Sequence, residues 1–452
     1  MQRLVLVMIV VATTFDFLAR GDSWGRFAFL PREAKFVGEL LGAVAFAAVA
    51  VLGARTRFDY VRPAYWIMFA ALLITMLCGI VINDVSAGPI FTGLRGYLRV
   101  IPWFLVASVY AFSEPVVKRQ LQVLLAIALL QIPLAIEQRL RTLSFGKATG
   151  DRLNYSGDLT TGTLVNSATL SIFLISGMCV LVAFVVRKRI SLARFTLLFV
   201  LLLVPMLINE TKATILLLPL GVTLTFVIAA RPGRRLGAVL KSSMLVLVTG
   251  MVFVPVYNQL RSENQPGILD FITEPELAEQ YLWKKEDVGT TSEKAAGRVD
   301  SIVVPLKRLS ADPARLAFGF GIGNASESAL GAAFSGTYGD LFAPFMTTAF
   351  ARIVLELGVL GLALVLGLMW MILQDCRVVA RSDVGLFGAL GAAIAGVTAV
   401  IVLSMIYRDL TSQISMSFLF WFYAGLVSAY RMRVSRAAVQ QARPTAVLPV
   451  PL

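Results

Sequence analysis

Apolar stretches of about twenty residues recur along the whole chain, and no other feature restricts its fold as much. About 20 helical residues cross the ~30 Å hydrocarbon core of a bilayer. Inside that core every backbone polar group must be satisfied internally, which leaves helices or closed barrels. Long apolar runs without two-residue alternation read as helices. They begin near Leu4, Phe36, Ala64, Tyr97, Gln120, Gly162, Ala193, Lys212, Leu236, Met346, Val384 and Gln413. The expected fold is therefore an all-α polytopic membrane protein of about twelve transmembrane helices. Of the 452 residues, 58% are hydrophobic and 15% charged, too little polar surface for a soluble domain of this length. The first stretch, Leu4 to Ala19, lacks a convincing cleavage site and reads as an uncleaved span.

Loop charge sets the orientation. Short connections carrying Arg55, Arg57 and Arg62, Lys118 and Arg119, Arg187, Lys188, Arg189 and Arg194, Arg231, Arg234 and Arg235, and Arg377 and Arg381 alternate with mixed or acidic ones. Basic short loops face the cytoplasm, so both termini are placed there. Two connections run against this bias, one with Arg20, Arg26, Arg32 and Lys35, the other with Arg139, Arg141, Lys147 and Arg152.

The connection from Asn258 to Pro344 is different in kind. It spans roughly 85 residues, long enough to be either functional or disordered, and its acidic residues outnumber its basic ones. Helical pieces are expected at Pro275 to Glu286 and Ser292 to Leu309, and their alternation with glycine turns favours order. The chain divides into residues 1–257 (spans one to nine), 258–344 (a large extracytoplasmic loop with amphipathic helices), 345–432 (spans ten to twelve) and 433–452. The last is a cytoplasmic tail whose Pro-rich end reads as disordered. No internal repeat is visible, nor the paired interrupted helices of inverted-repeat transporters.

Several function classes drop out. The net charge of +14 is distributed over short loops, with no aromatic-basic motif for nucleic acid. Histidine is absent, which removes the commonest general base and metal ligand. Cys78, Cys179 and Cys376 have no CxxC spacing and read as small core residues. Without a DxD, a GxxxxGK or a Cys/His cluster, neither metal nor cofactor is expected.

Ionisable residues within spans are costly and suggest function. Asp16, Glu39, Arg99, Lys212, Arg352, Glu356, Arg408 and Asp409 all fall in the outer half of the bilayer or at its edge. One reading is local snorkelling and pairing, such as Arg352 with Glu356 at i,i+4. The other, preferred for the group as a whole, is an anionic ligand at the outer interface, because the arginine fork pairs phosphate oxygens bidentately.

Three segments resemble the bacterial O-antigen ligase and polymerase family, membrane glycosyltransferases of GT-C type. Asn209-Glu-Thr-Lys-Ala-Thr214 is similar to the family's Ser-Arg step at a helix start, with Lys212 at the arginine position. Gly297-Arg-Val-Asp-Ser-Ile302 followed by Gly319-Phe-Gly-Ile-Gly323 resembles a loop arginine and its glycine-rich turn. Leu355-Glu-Leu-Gly-Val-Leu-Gly361 is similar to Leu-Glu-x-Gly-x-x-Gly. The span count and loop position extend the resemblance over most of the chain. Ligases of the family carry a catalytic histidine where Thr347 stands here, whereas repeat-unit polymerases rely on arginines. The missing histidine therefore points to a polymerase, with an O-antigen ligase acting on a lipid A-core acceptor as the alternative.

The resemblance implies transfer of a glycan from polyprenyl (undecaprenyl) diphosphate to another lipid-linked repeat unit at the periplasmic face of the bacterial inner membrane. The product would be exopolysaccharide, capsule or O-antigen, and a chain-length regulator is a further candidate partner. Such a leaving group needs charge neutralisation more than a strong acid. Arg298 is the first candidate contact to the diphosphate or a charged part of the saccharide, with Lys212 beside it in the catalytic set. Glu210 and Asp300 are candidate bases, and Arg95, Arg99, Arg352 and Arg408 candidate substrate ligands. Arg298 has a plainer reading, a salt bridge to Asp300 or Glu293 that orders the loop. Gly319, Gly321 and Gly323 follow no βαβ unit, so a tight turn is favoured over a nucleotide loop. Tyr281, Trp283 and Tyr338 suit sugar stacking or the loop's own core equally. Rival classes are a lipid-linked oligosaccharide transporter or flippase, which needs polar residues through the inner half of the bundle, and a receptor or assembly scaffold.

Overall fold

Among the helices long enough to cross a membrane, α7 (Ser167–Val186) and α17 (Leu386–Ser404) are the most deeply embedded in the computed structural model, and their composition explains why. α17 carries Gly388, Gly391 and Gly396 among alanines. A Cβ at Gly396 would lie 2.1 Å from the Thr225 hydroxyl and 2.5 Å from the Gly221 carbonyl. Small residues let helices that gain nothing from water exclusion approach until their backbones pack.

The structure describes all residues except 23–25, 57, 150–159, 165, 231, 232, 234, 261–266, 268, 284–296, 329, 410–412 and 443–452. Arg152, Arg231, Arg234, Glu293 and the end of the tail lie outside the described residues. Among the described residues the regular elements are all helical. They are α1 (Gln2–Arg20), α2 (Val37–Thr56), α3 (Pro63–Ile82), α4 (Ala87–Leu98), α5 (Ile101–Val109), α6 (Glu114–Thr149), α7, α8 (Leu192–Ile208), α9 (Thr214–Ala229) and α10 (Arg235–Leu260). The connection that follows contains α11 (Asp270–Thr273), α12 (Pro275–Trp283), α13 (Asp300–Leu309), α14 (Pro313–Phe318) and α15 (Gly339–Phe342). α16 (Ala349–Ser382), α17 and α18 (Ile414–Ala442) complete the chain.

Eight of the described helices are long and apolar enough to cross a membrane, or nine if α4 and α5 count as one bent span. The peripheral helices turn large apolar side chains outward, including Leu40 at 65%, Val81 at 78% and Leu236 at 76% exposure. In water such a surface would be a liability; in lipid it is the solvent-facing side. The protein is a multi-pass, all-α membrane protein.

Four expectations need correction. The fourth span does not start at Tyr97. Its helix begins at Ala87 and bends by 40° between α4 and α5, where Pro102 sits at the start of α5. Proline has no N–H for the carbonyl four residues back and suits the first turn of a new helix. Arg139 and Arg141, assigned to a loop, lie on α6, a helix of 36 residues, about 54 Å at 1.5 Å per residue. Of the helix expected over Ser292 to Leu309, residues 292–296 lie outside the described residues; residues 297–299 are non-helical and α13 starts at Asp300, because Gly297 packs on the Leu282 and Trp283 backbone and Val299 N donates to Leu282 O at 2.7 Å. In addition, α18 continues to Ala442, through residues assigned to the tail.

The glycine-rich turn is the wedge of the loop. Gly319, Gly321 and Gly323 have φ of +72°, +89° and +73°, a region that side chains with a Cβ rarely adopt. Each also touches a helix backbone. A Cβ at Gly321 would meet Gly79 O of α3 at 2.8 Å, and one at Gly323 would meet Pro89 O of α4 at 2.0 Å. A Cβ at Gly319 would lie 2.7 Å from Gly358 N in α16. Gly358 itself has φ +69°, breaking α16 where Ala317 and Phe318 press against it. Ile322 is fully buried among Leu72, Met76, Ile353 and Leu357, and Phe320 N donates to Leu355 O at 2.7 Å. The second and third motifs are thus two halves of one packing joint.

Candidate functional site

The loop between α10 and α16 covers one end of the bundle, called here the loop end. Most of the candidate cations converge beneath it. Arg352, in the first turn of α16, pairs through Nη1 with Asp409 Oδ2 at 3.0 Å. Asp409 is held by its own backbone, whose N–H donates to Thr347 O at 2.8 Å, while Ala349 N donates to Arg408 O at 3.4 Å and Phe350 N to Met405 O at 2.9 Å. These bonds strap the segment after α17 to the start of α16. The expected Arg352–Glu356 pairing is therefore corrected: they remain within electrostatic range, but the direct partner is Asp409. Glu356 instead accepts from the Ser326 hydroxyl and the Gly323 N–H, fastening the glycine turn.

Arg99 sits at the α4–α5 bend, within electrostatic range of Glu39, Asp409, Arg352 and Arg95. Arg95, one turn earlier, is ion-paired with Glu39 of α2 and lies over the Phe36 ring at 5.7 Å. Tyr97 faces Glu356, Arg352 and Asp409. Arg298 reaches the same group from the loop: its Nη1 donates to Tyr407 O at 2.9 Å and its guanidinium stacks 4.7 Å from the Tyr407 ring. Asp300 begins α13 two residues on, and Arg408 is half-buried between Tyr407 and Asp409. Thr347, at the position where ligases have histidine, has its hydroxyl oxygen buried without a hydrogen-bond partner among the described residues.

A cavity of about 430 Å³ opens beside this group, between α1, α2, α4–α5 and α18. Its floor is apolar, with Phe46, Phe91, Leu98 and Trp103, and its polar edge is Glu39, Arg95 and Arg99. An apolar slot ending in guanidinium groups suits an amphiphile with an anionic head.

Lys212 and Glu210 lie in a separate polar cluster. Glu210 is ion-paired with Arg139 of α6, both side chains under 10% exposed. Its backbone has φ +53°, uncommon for a residue with a Cβ, and the Tyr257 hydroxyl donates to its carbonyl at 3.3 Å. Asn209 anchors the turn through Ser171 Oγ at 2.8 Å and Ser167 O at 3.1 Å. The Lys212 ammonium lies 4.7 Å from the Phe271 ring of α11. The described contacts do not join these residues to the Arg298 group. Sequence reasoning did not single out Arg139 or Tyr407. A buried arginine opposite a strained glutamate has no local spacing signature, nor does Tyr407, which meets Arg298 with both its carbonyl and its ring.

No family model matches the chain, and no curated protein matches it.

Proposed function

We propose that the protein is a polysaccharide polymerase that moves a growing glycan from polyprenyl diphosphate to the sugar of another lipid-linked repeat unit. The observation that carries this reading is the apolar cavity running into Glu39, Arg95 and Arg99, with Arg352 within electrostatic range of Arg99. The proximal isoprene units occupy the slot and the diphosphate meets the guanidinium groups. In this reading α8, α9 and α18 are spans as well, for about twelve in all, with the loop end facing the periplasm of a bacterial inner membrane and both termini in the cytoplasm.

In the transfer, the acceptor hydroxyl oxygen bonds to the anomeric carbon as that carbon's bond to the diphosphate oxygen breaks. Positive charge preorganised at the leaving group stabilises the charge that develops there. The incoming diphosphate competes with Glu39 for Arg95, which frees the Glu39 carboxylate to take the hydroxyl proton. Glu210 is less suited to that role, since its carboxylate is committed to Arg139. Asp300 is the further candidate base.

The test is reconstitution in proteoliposomes with purified lipid-linked repeat units and no nucleotide sugar. Chain elongation supports the polymerase. Movement of the substrate across the bilayer without elongation means a flippase, and transfer only when a lipid A-core acceptor is added means a ligase.

A further inference from the structure

A second cavity lies toward the opposite end of the bundle, between α6, α7, α8 and the α17–α18 pair, and it has no part in the glycan reading. It holds about 560 Å³. Along α6 its lining runs from Glu114 to Ala128, about 21 Å at 1.5 Å per residue. That exceeds half of the ~30 Å hydrocarbon core. The walls are apolar, including Leu125, Phe173, Leu181, Leu390 and Phe420.

Its mouth is cationic. Lys118, Arg189 and Arg194 line it together with Glu114. Glu114 is already engaged, accepting from Arg189 Nη1 at 3.0 Å. Three cations against Glu114 and the nearby Asp383, whose carboxylate flanks Gly385 together with the Arg189 guanidinium, leave a net positive rim at the end of a slot deep enough for an acyl chain. This end also carries Arg187 and Lys188, so the positive-inside bias puts the rim at the cytoplasmic leaflet, where anionic lipid is available to basic pockets between helices.

We propose that this cavity binds a diacyl phospholipid with a net-negative phosphate headgroup, one acyl chain in the slot and the phosphate between Lys118 and Arg194. Neutral headgroups lack the charge to match the rim. The slot opens at the end opposite the cavity assigned to the polyprenyl diphosphate, so the occupant is distinct from the substrate proposed at the loop end.

The experiment uses the full chain in phosphatidylcholine nanodiscs, alone or with phosphatidylglycerol, phosphatidylethanolamine or polyprenyl phosphate added, read by thermal unfolding and by native mass spectrometry of the lipid retained. The expected result is a higher Tm with phosphatidylglycerol and one retained phosphatidylglycerol per protein. The double variant Lys118→Gln/Arg194→Gln, which keeps the Arg189–Glu114 pair, has the wild-type Tm in pure phosphatidylcholine but loses the response. Ser176→Trp, which fills the slot, loses the response with the rim intact. Equal shifts for phosphatidylglycerol and phosphatidylethanolamine, an unchanged response in both variants, or preferential retention of polyprenyl phosphate each overturn the proposal. Because no glycan is involved, these outcomes are independent of polymerase activity.

Discussion

Arg352 of α16 and Asp409, just beyond α17, meet at 3.0 Å at the loop end of the bundle. The side chains are 23% and 6% exposed, and two charges held that far from water stabilise only as a pair. Removing one partner of such a pair leaves a buried charge and costs about 3–5 kcal/mol at full burial, less here. Arg352→Ala and Asp409→Ala should each lower the Tm in detergent. The exchange Arg352→Asp/Asp409→Arg should recover much of that Tm while glycan transfer stays lost, because the guanidinium no longer stands on α16 beside Tyr97. Recovery of both would make the pair purely structural.

Much of this architecture is legible in the sequence, for definite reasons. The starts of α1, α2, α3, α8, α9, α10, α16, α17 and α18 fall within a few residues of where the apolar runs begin, because hydrophobic length is a local property. Pro102 is one of several prolines in the sequence able to kink a span, but the start of α4 at Ala87 is lost when hydropathy is averaged. The partners of the charges were also misread. Helical spacing suggests Arg352 with Glu356, but Asp409 arrives through backbone bonds to Thr347 that no periodicity encodes. Of the charges grouped by depth along the spans, Arg99, Arg352 and Asp409 lie together, whereas Lys212 lies with Glu210 in a different turn beside α6.

The glycine turn makes a sharper prediction about stability. Gly321→Ala and Gly323→Ala combine a left-handed backbone with Cβ clashes against helix backbone at 2.8 Å and 2.0 Å. Strain of about 1–2 kcal/mol from the backbone alone, with the clash added, should lower the Tm by several degrees or more. Gly96→Ala is the control. A Cβ there meets nothing within 4 Å, and alanine in a helix should stabilise by about 0.5–1 kcal/mol. Thermal unfolding of the three variants separates a packing role for the turn from a generic intolerance of substitution.

At the opposite end, Asp375 is 1% exposed and accepts from Arg62 Nη1 at 2.7 Å, the Tyr65 hydroxyl at 2.9 Å, the Ser428 hydroxyl at 2.6 Å and Arg431. It ties α3, α16 and α18 together. Asp375→Ala strands two guanidinium groups and should destabilise by about 3–5 kcal/mol, with Asp375→Asn intermediate. In protein that remains folded, the KM for lipid-linked substrate should not change, since this knot lies far from the arginine group.

Arg95 and Glu39 give a kinetic prediction. Glu39→Gln should lower kcat by about 100-fold or more if the carboxylate takes the acceptor proton, with substrate binding kept or tightened because Arg95 is released. Arg95→Ala should instead raise KM. Reconstituted rates against substrate concentration distinguish the two, and an unchanged kcat in Glu39→Gln removes Glu39 from the chemistry.

Arg298 links the loop to the arginine group, so polymer length in its variants tests the central claim most directly. Wild-type protein in proteoliposomes, supplied with purified lipid-linked repeat units, should produce long chains. Arg298→Ala, at equal abundance and equal Tm, should leave single repeat units. Arg298→Lys should recover little, because lysine keeps the charge but lacks the fork. Wild-type chain length from Arg298→Ala would contradict the account.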